Sequence, residues 1–166
     1  IYKFSKQEIN LVVAASYIDT LSLKSTKTTP SDIVECKNLI AKYDLNKDEM
    51  YLDGLSITDM SDIKACSLNG LKKYEINNNR VYSSYVQVTE DELNKIPLIL
   101  KEIPRTMRNK GVDYFVFIVT NVSNMTTKSY LLSKNFGSSI EVMEYNHIAS
   151  RGQEIIPELE RKLMRK

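Results

Sequence analysis

The sequence predicts an α/β fold, a mixed β-sheet flanked by helices, and three kinds of segment carry that expectation. Lys72–Ile76 and Val81–Val88 alternate and are rich in β-branched and aromatic residues, with Asn77-Asn78-Asn79 between them. Asparagine tolerates the left-handed backbone that a tight turn needs, so these two segments are expected to pair as a hairpin. Tyr114–Val122 is almost continuously apolar, the pattern of a strand covered on both faces. Around these segments lie stretches whose apolar residues recur at helical spacing.

Residues 6–22 place Ile9, Val12, Val13, Tyr17 and Leu21 on one helical face, with Ser5 positioned to cap the first turn. Asp19-Thr20 reads as a hydrogen-bonding element at the end of that helix. After a polar loop containing Lys24 and Lys27, Thr29-Pro30-Ser31-Asp32 opens a second helix whose apolar positions are Ile33, Cys36, Leu39, Ile40 and Tyr43. Here a threonine cap precedes a first-turn proline, and an acid follows three residues after the cap. Shorter helices are expected over 47–56 and 58–66. Thr89-Glu90-Asp91-Glu92 has the form of a capping box opening a helix to about Asn109, which Pro97 and Pro104 should kink or split. Beyond the apolar strand, Tyr130-Leu131-Leu132 suggests a short strand, 138–145 a helix, and His147-Ile148-Ala149 an edge strand. A final helix should start near Gln153.

Composition excludes several function classes. A chain of 166 residues is long enough to bury a core, and its 42% hydrophobic and 27% charged residues are ordinary for a globular protein. A net charge of +2 gives no reason to expect nucleic acid as a partner. No stretch approaches the roughly 18 apolar residues of a membrane span, and no leader pattern is evident, so a cytoplasmic protein without a membrane partner is expected. Cys36 and Cys66 fall within hydrophobic patterns and read as buried free thiols. His147 is the one histidine. A metal site or a catalytic triad built by this chain alone is therefore not expected.

The segment Ser150-Arg151-Gly152-Gln153-Glu154-Ile155-Ile156-Pro157 stands out as an anion-binding candidate. Arginine presents a planar fork that fits a phosphate or carboxylate bidentately. A helix N-terminus directs backbone N–H groups and partial positive charge at the same anion.

Three segments in the same order carry a family resemblance. Ala15-Ser16-Tyr17-Ile18-Asp19-Thr20-Leu21-Ser22-Leu23-Lys24-Ser25, followed by Thr28-Thr29-Pro30, resembles the first helix and loop of the DHHA2 domain. The hairpin with Gln87-Val88-Thr89, the strand entry Gly111-Val112-Asp113-Tyr114-Phe115, and the Ser-Arg…Pro tail follow in the family's order. The resemblance spans about residues 8–160, so the chain is read as a single DHHA2-like domain over 1–166. DHHA2 is similar to the C-terminal half of family II, manganese-dependent inorganic pyrophosphatases and of related exopolyphosphatases. The resemblance implies that this chain is a fragment of a longer phosphohydrolase. An N-terminal DHH domain would hold manganese, or magnesium or cobalt, while this domain grips pyrophosphate or polyphosphate. It also implies an inactive isolated chain and leaves room for a homodimer of the full-length protein.

Carried over residue by residue, the family's Ser-Arg-Lys-Lys-Gln tail places its arginine on Arg151 and its two lysines on Gly152 and Gln153. Its Asp-x-Lys-x-aromatic element matches Lys72 and Tyr74 but has Gly70 at the aspartate position. Arg151 and Lys72 are therefore the expected substrate-binding residues, with His147, Lys73 and Lys24 as secondary candidates. The alternative activities that the resemblance allows are an exopolyphosphatase, a nucleotide phosphodiesterase of the DHH family, or a non-catalytic module binding phosphate compounds.

Overall fold

The computed structural model of the chain describes residues 3–20, 22–46, 57–134 and 139–164. They divide into two compact units, residues 1–56 and 57–166. No described helix is long and apolar enough to cross a membrane.

In the first unit, α1 (Lys6–Thr20) and α2 (Pro30–Tyr43) begin at the expected caps Ser5 and Thr29, and both caps are reciprocal. Ser5 Oγ accepts from the Glu8 amide at 3.2 Å while Glu8 accepts from the Ser5 amide at 2.8 Å. Thr29 and Asp32 repeat the exchange at 3.2 and 2.8 Å. The hydrogen bonds from Thr29 hold the Asp32 carboxyl below its usual range. Ile9, Val13 and Leu45 form a small core with Tyr17, Leu39, Ile40 and Tyr43. Val12, expected on the apolar face, is exposed. Thr20 closes α1, donating to the Ser16 carbonyl at 2.5 Å and accepting from the Leu23 amide at 3.0 Å. The helix expected over 47–56 and the apolar position Leu21 lie outside the described residues.

The second unit is built on one five-stranded sheet in the order β1-β2-β3-β4-β5. Its strands are β1 (Lys72–Ile76), β2 (Asn79–Val88), β3 (Tyr114–Asn121), β4 (Thr126–Ser133) and β5 (Ile140–Tyr145). Only β2 and β3 run parallel. Their connection carries α4 (Ile96–Lys110), as a parallel crossover requires. The β1–β2 hairpin turns on Asn77 and Asn78, with φ of 49° and 60°, and β2 starts at Asn79, two residues earlier than alternation alone suggests.

β3 alternates its side chains between two cores, which explains its unbroken apolar run. On one face, Phe115, Phe117 and Val119 join Val86, Val88 and Leu132 under the α4 residues Ile96, Ile99, Ile103 and Met107. On the other, Val116 and Ile118 join Val81 and Leu131 under Ile155, Ile156, Leu159 and Leu163. Most of that second stripe belongs to α5 (Ile156–Leu163).

Several local expectations need correction. The 138–145 segment contains no helix over its described residues. Ile140–Tyr145 is β5, whose alternating Ile140, Val142 and Glu144 pair with β4 and whose far edge is open. Ladder pairing outweighed weak helical spacing there. His147–Ala149 is irregular rather than a strand, because the Ala149 amide is taken by Thr127 Oγ1 at 3.0 Å. The 58–66 helix is only α3 (Ile63–Ser67), capped by Asp62. Thr89 makes no side-chain cap. Glu90 instead accepts from Asn121 Nδ2 at 2.5 Å, and its amide donates to Ser123 Oγ. A 3₁₀ segment, Glu90–Lys95, results. The α-helix begins after it, with Pro97 in its first turn, and runs on through Pro104. The buried stripe of Ile99, Ile103 and Met107 holds that helix against the sheet.

Cys36 and Cys66 are free and buried, and burial raises both thiols.

Asp113 joins three strand ends. Its carboxylate accepts from the Arg80 amide at 2.7 Å and from the Lys134 ammonium. Its own amide and carbonyl bond Arg80 and Lys134. These hydrogen bonds, Lys134's foremost, hold its carboxyl below the usual range. A depressed carboxyl stabilises the fold above its unfolded pKa and loses that contribution as pH falls. Asp113→Ala is expected to cost about 1–2 kcal/mol at neutral pH and less at a second, acidic pH below the ordinary carboxylate range. Urea unfolding at the two pH values checks this; an equal cost at both would rule out the ionic origin.

Candidate functional site

The tail segment enters the last helix through a widened turn. Arg151–Ile155 forms one π-type turn ahead of α5, and the Ser150 carbonyl accepts from both the Glu154 and Ile155 amides at 3.0 and 3.2 Å. That extra residue per turn shifts the capping partner. Glu154 reaches back to the Ser150 amide at 2.6 Å, four residues away rather than the usual three. Its second carboxylate oxygen lies 2.7 Å from His147 Nε2. The His147 ring in turn meets Tyr145 edge-on, with centroids 5.9 Å apart. Glu154 thus ties together the loop that delivers Arg151.

Arg151 is held from two sides. Its Nη1 donates to the Gly70 carbonyl at 2.7 Å, and its guanidinium carbon sits 5.2 Å from the Tyr85 ring centroid. A guanidinium has five N–H donors, so most remain for a ligand. The hydrogen bond to Gly70 and the ring beneath it hold the guanidinium in place before any anion arrives.

Gly70 is the other half of this arrangement. It adopts φ +56°, and a Cβ built there would sit 2.7 Å from Tyr85 Cδ1. Only glycine lets the chain turn against that ring and offer its carbonyl to Arg151. At this position a backbone carbonyl, not a side chain, supports the arginine.

Lys72 opens β1 opposite Ser83, on the sheet face that also carries Tyr74, Val81 and Tyr85. It is exposed. Arg151 and Lys72 therefore share a face. Lys73, the adjacent strand residue, points to the opposite face, where its ammonium lies 5.7 Å from the Tyr82 ring centroid. Lys24 belongs to the first unit, in the turn after α1, where its amide bonds the Thr20 carbonyl.

Tyr145 lies beside His147. Its hydroxyl donates to Glu158 at 2.7 Å, and burial followed by that carboxylate pushes its pKa far up. It is a donor held protonated, not a base. Gly152 is exposed, and a Cβ built on it meets no atom within 4 Å. Among the described residues no three His, Cys, Asp or Glu side chains converge to hold a metal ion. The chain's described donors do not fit a manganese site, and the arrangement can bind an anion and neutralise its charge.

Sequence reasoning missed Tyr85, the Gly70 carbonyl and Glu154. Only Glu154 left a trace, a serine followed four residues later by an acid at a helix start.

The fold class defined here, a mixed sheet with helices on both faces, is that of a family II pyrophosphatase structure. The chain superposes on a crystal structure from Methanococcus jannaschii, assigned as a family II inorganic pyrophosphatase, with a TM-score of 0.74. That match covers 96% of this chain and 56% of the other, at 20% identity. No family model matches the sequence. It is 25% identical over 173 residues to a Bacillus licheniformis protein named "probable manganese-dependent inorganic pyrophosphatase", covering 95% of this chain and 55% of that protein. A Streptococcus agalactiae protein of the same name is 27% identical over 168 residues, with 93% and 54% covered. The chain thus spans about half the length of the curated relatives it matches.

Proposed function

We propose that this chain is the C-terminal, DHHA2-like substrate-binding domain of a manganese-dependent, inorganic pyrophosphatase-like phosphohydrolase. The observation that carries this reading is the preset guanidinium of Arg151, fastened to the Gly70 carbonyl and Tyr85 at the mouth of the last helix. Similarity along nearly the whole chain to proteins named as manganese-dependent pyrophosphatases supports it.

In this reading Arg151 binds one phosphoryl group through its free N–H edge, and Lys72 approaches the same group from β1. Both neutralise charge that builds on the phosphoryl oxygens as the anhydride bond breaks. Glu154 and His147 position the loop and touch no substrate. The metal belongs to a preceding DHH domain, and the isolated chain binds phosphate compounds without hydrolysing them.

Arg151→Ala in the full-length protein is expected to lower kcat/KM for pyrophosphate at least about 100-fold, the scale of losing one charge-stabilising donor. Arg151→Lys should recover only part, because a point charge replaces the fork. The isolated chain mixed with manganese and pyrophosphate should release no phosphate; rapid release would overturn the division of labour.

The empty space beside Gly152 favours one second reading, a polyphosphate substrate longer than pyrophosphate. Rates of the full-length protein on pyrophosphate, tripolyphosphate and long polyphosphate separate the two.

A further inference from the structure

On the sheet face opposite Arg151, a groove of about 910 Å³ opens between α4 and the ends of β3, β4 and β5. Its apolar surface comes from Leu100, Pro104, Met107, Val112, Leu132 and Ile140. The charged residues among its described lining are Arg80, Lys101, Arg108 and Lys134, and the Asp113 carboxylate sits beside it on Lys134. We propose that this groove binds an amphipathic anion, an apolar chain ending in a carboxylate or phosphate, at a site separate from that of Arg151.

The argument rests on how the cations are arranged. Lys134 is spent on Asp113. Lys101 and Arg108 form no ion pair among the described residues. They lie seven positions apart, two turns of α4, which brings both to the groove side with Pro104 between them.

Arg80 sits at the C-terminal end of α4. Its amide is fixed by Asp113, and its guanidinium lies over Gly111, where a built Cβ would come within 3.1 Å of Nη2. Gly111 ends α4 in the left-handed conformation at φ 62°. A glycine that ends the helix also lets a guanidinium close on its C-terminal carbonyls, which attract positive charge.

Three cations beyond the Lys134–Asp113 pair thus face a groove whose walls are apolar. Such a groove discriminates by headgroup charge and by tail burial together. A free inorganic anion gains nothing from the apolar wall, and a cationic amphiphile meets like charge. The volume falls within the roughly 300–1,000 Å³ range of small-molecule sites.

The test is calorimetric titration of the 166-residue chain with dodecanoate and with dodecyl phosphate. Saturable 1:1 binding of either is expected, and the tighter of the two identifies the headgroup. Dodecyltrimethylammonium should bind at least about tenfold more weakly, acetate should show no saturation, and excess pyrophosphate should displace neither anion. The exposed double variant Lys101→Glu/Arg108→Glu should lose at least about tenfold in affinity while keeping the parent circular dichroism. Several results would overturn the proposal: no saturable binding, equal binding of the cationic amphiphile, displacement by pyrophosphate, or undiminished affinity in the folded double variant. Dimerisation of the ligand-free chain that the double variant abolishes would also overturn it, giving the groove to a second copy instead.

Discussion

Gly70→Ala is expected to destabilise the second unit by about 2–5 kcal/mol and to weaken phosphate binding in the same stroke. Two costs add. An L-residue at φ +56° carries a backbone penalty of about 1–2 kcal/mol. The new methyl must also displace the Tyr85 ring, whose Cδ1 would lie 2.7 Å away. Tyr85 cannot retreat freely, because it packs against the core formed by Val81, Val116 and Ile155. Crowding of that kind costs about 1–3 kcal/mol. Any ring movement also disturbs Arg151, which uses the ring and the Gly70 carbonyl together. Gly70→Asp, which would match the pattern of the family the sequence resembles, meets the same collision and should be no better than alanine. Thermal and urea unfolding read the stability. Pyrophosphate titration reads the binding. A double-mutant cycle with Tyr85→Ala isolates the contact and should recover about 0.5–3 kcal/mol of coupling. A Gly70→Ala chain with wild-type stability and wild-type phosphate affinity would remove Gly70 from the support of Arg151.

What the sequence revealed follows a physical division. The helix caps at Ser5 and Thr29, the asparagine hairpin and the buried strand β3 are local devices, each written in a few adjacent residues. Their side chains bond or bury next to where they sit in the chain. The failures are non-local. Thr89-Glu90-Asp91-Glu92 has every letter of a capping box, yet Thr89 makes no side-chain cap, and Asn121 and Ser123, some thirty residues on, hold the intervening Glu90. β5 is a strand because β4 pairs with it. The site divides likewise. Arg151 and Lys72 are legible as residue types in a pattern, and the structure puts them on one face. Lys73 cannot share that face, since strand neighbours point to opposite sides. Tyr85 and the Gly70 carbonyl carry no signal, because a stacking ring and a backbone acceptor look like any strand tyrosine and any turn.

Gly152→Lys is expected to raise pyrophosphate affinity about 5- to 30-fold, or about 1–2 kcal/mol. The glycine stands where the resembling family has a lysine, next to Arg151 in the π-type turn. Unlike Gly70, nothing in the fold requires it. A Cβ there meets no atom within 4 Å, and its φ lies outside the left-handed range. The backbone should accept a side chain without strain and gain a little stability, since glycine loses more freedom on folding than lysine's backbone does. The new ammonium would stand beside a guanidinium already fixed in place. Their mutual repulsion is modest at an exposed position and is outweighed once a multiply charged anion sits between them. The comparison of substrates makes the result decisive. If the open space beside Arg151 serves a longer chain of phosphates, the lysine should raise kcat/KM of the full-length protein for pyrophosphate while leaving long polyphosphate unchanged or poorer. If pyrophosphate affinity does not rise in a folded Gly152→Lys chain, the anion does not approach Arg151 from the helix mouth, and the clamp formed with Lys72 must be redrawn. The two glycines thus make opposite demands on the same site: one is required by its ring neighbour, and the other leaves space that a cation can fill.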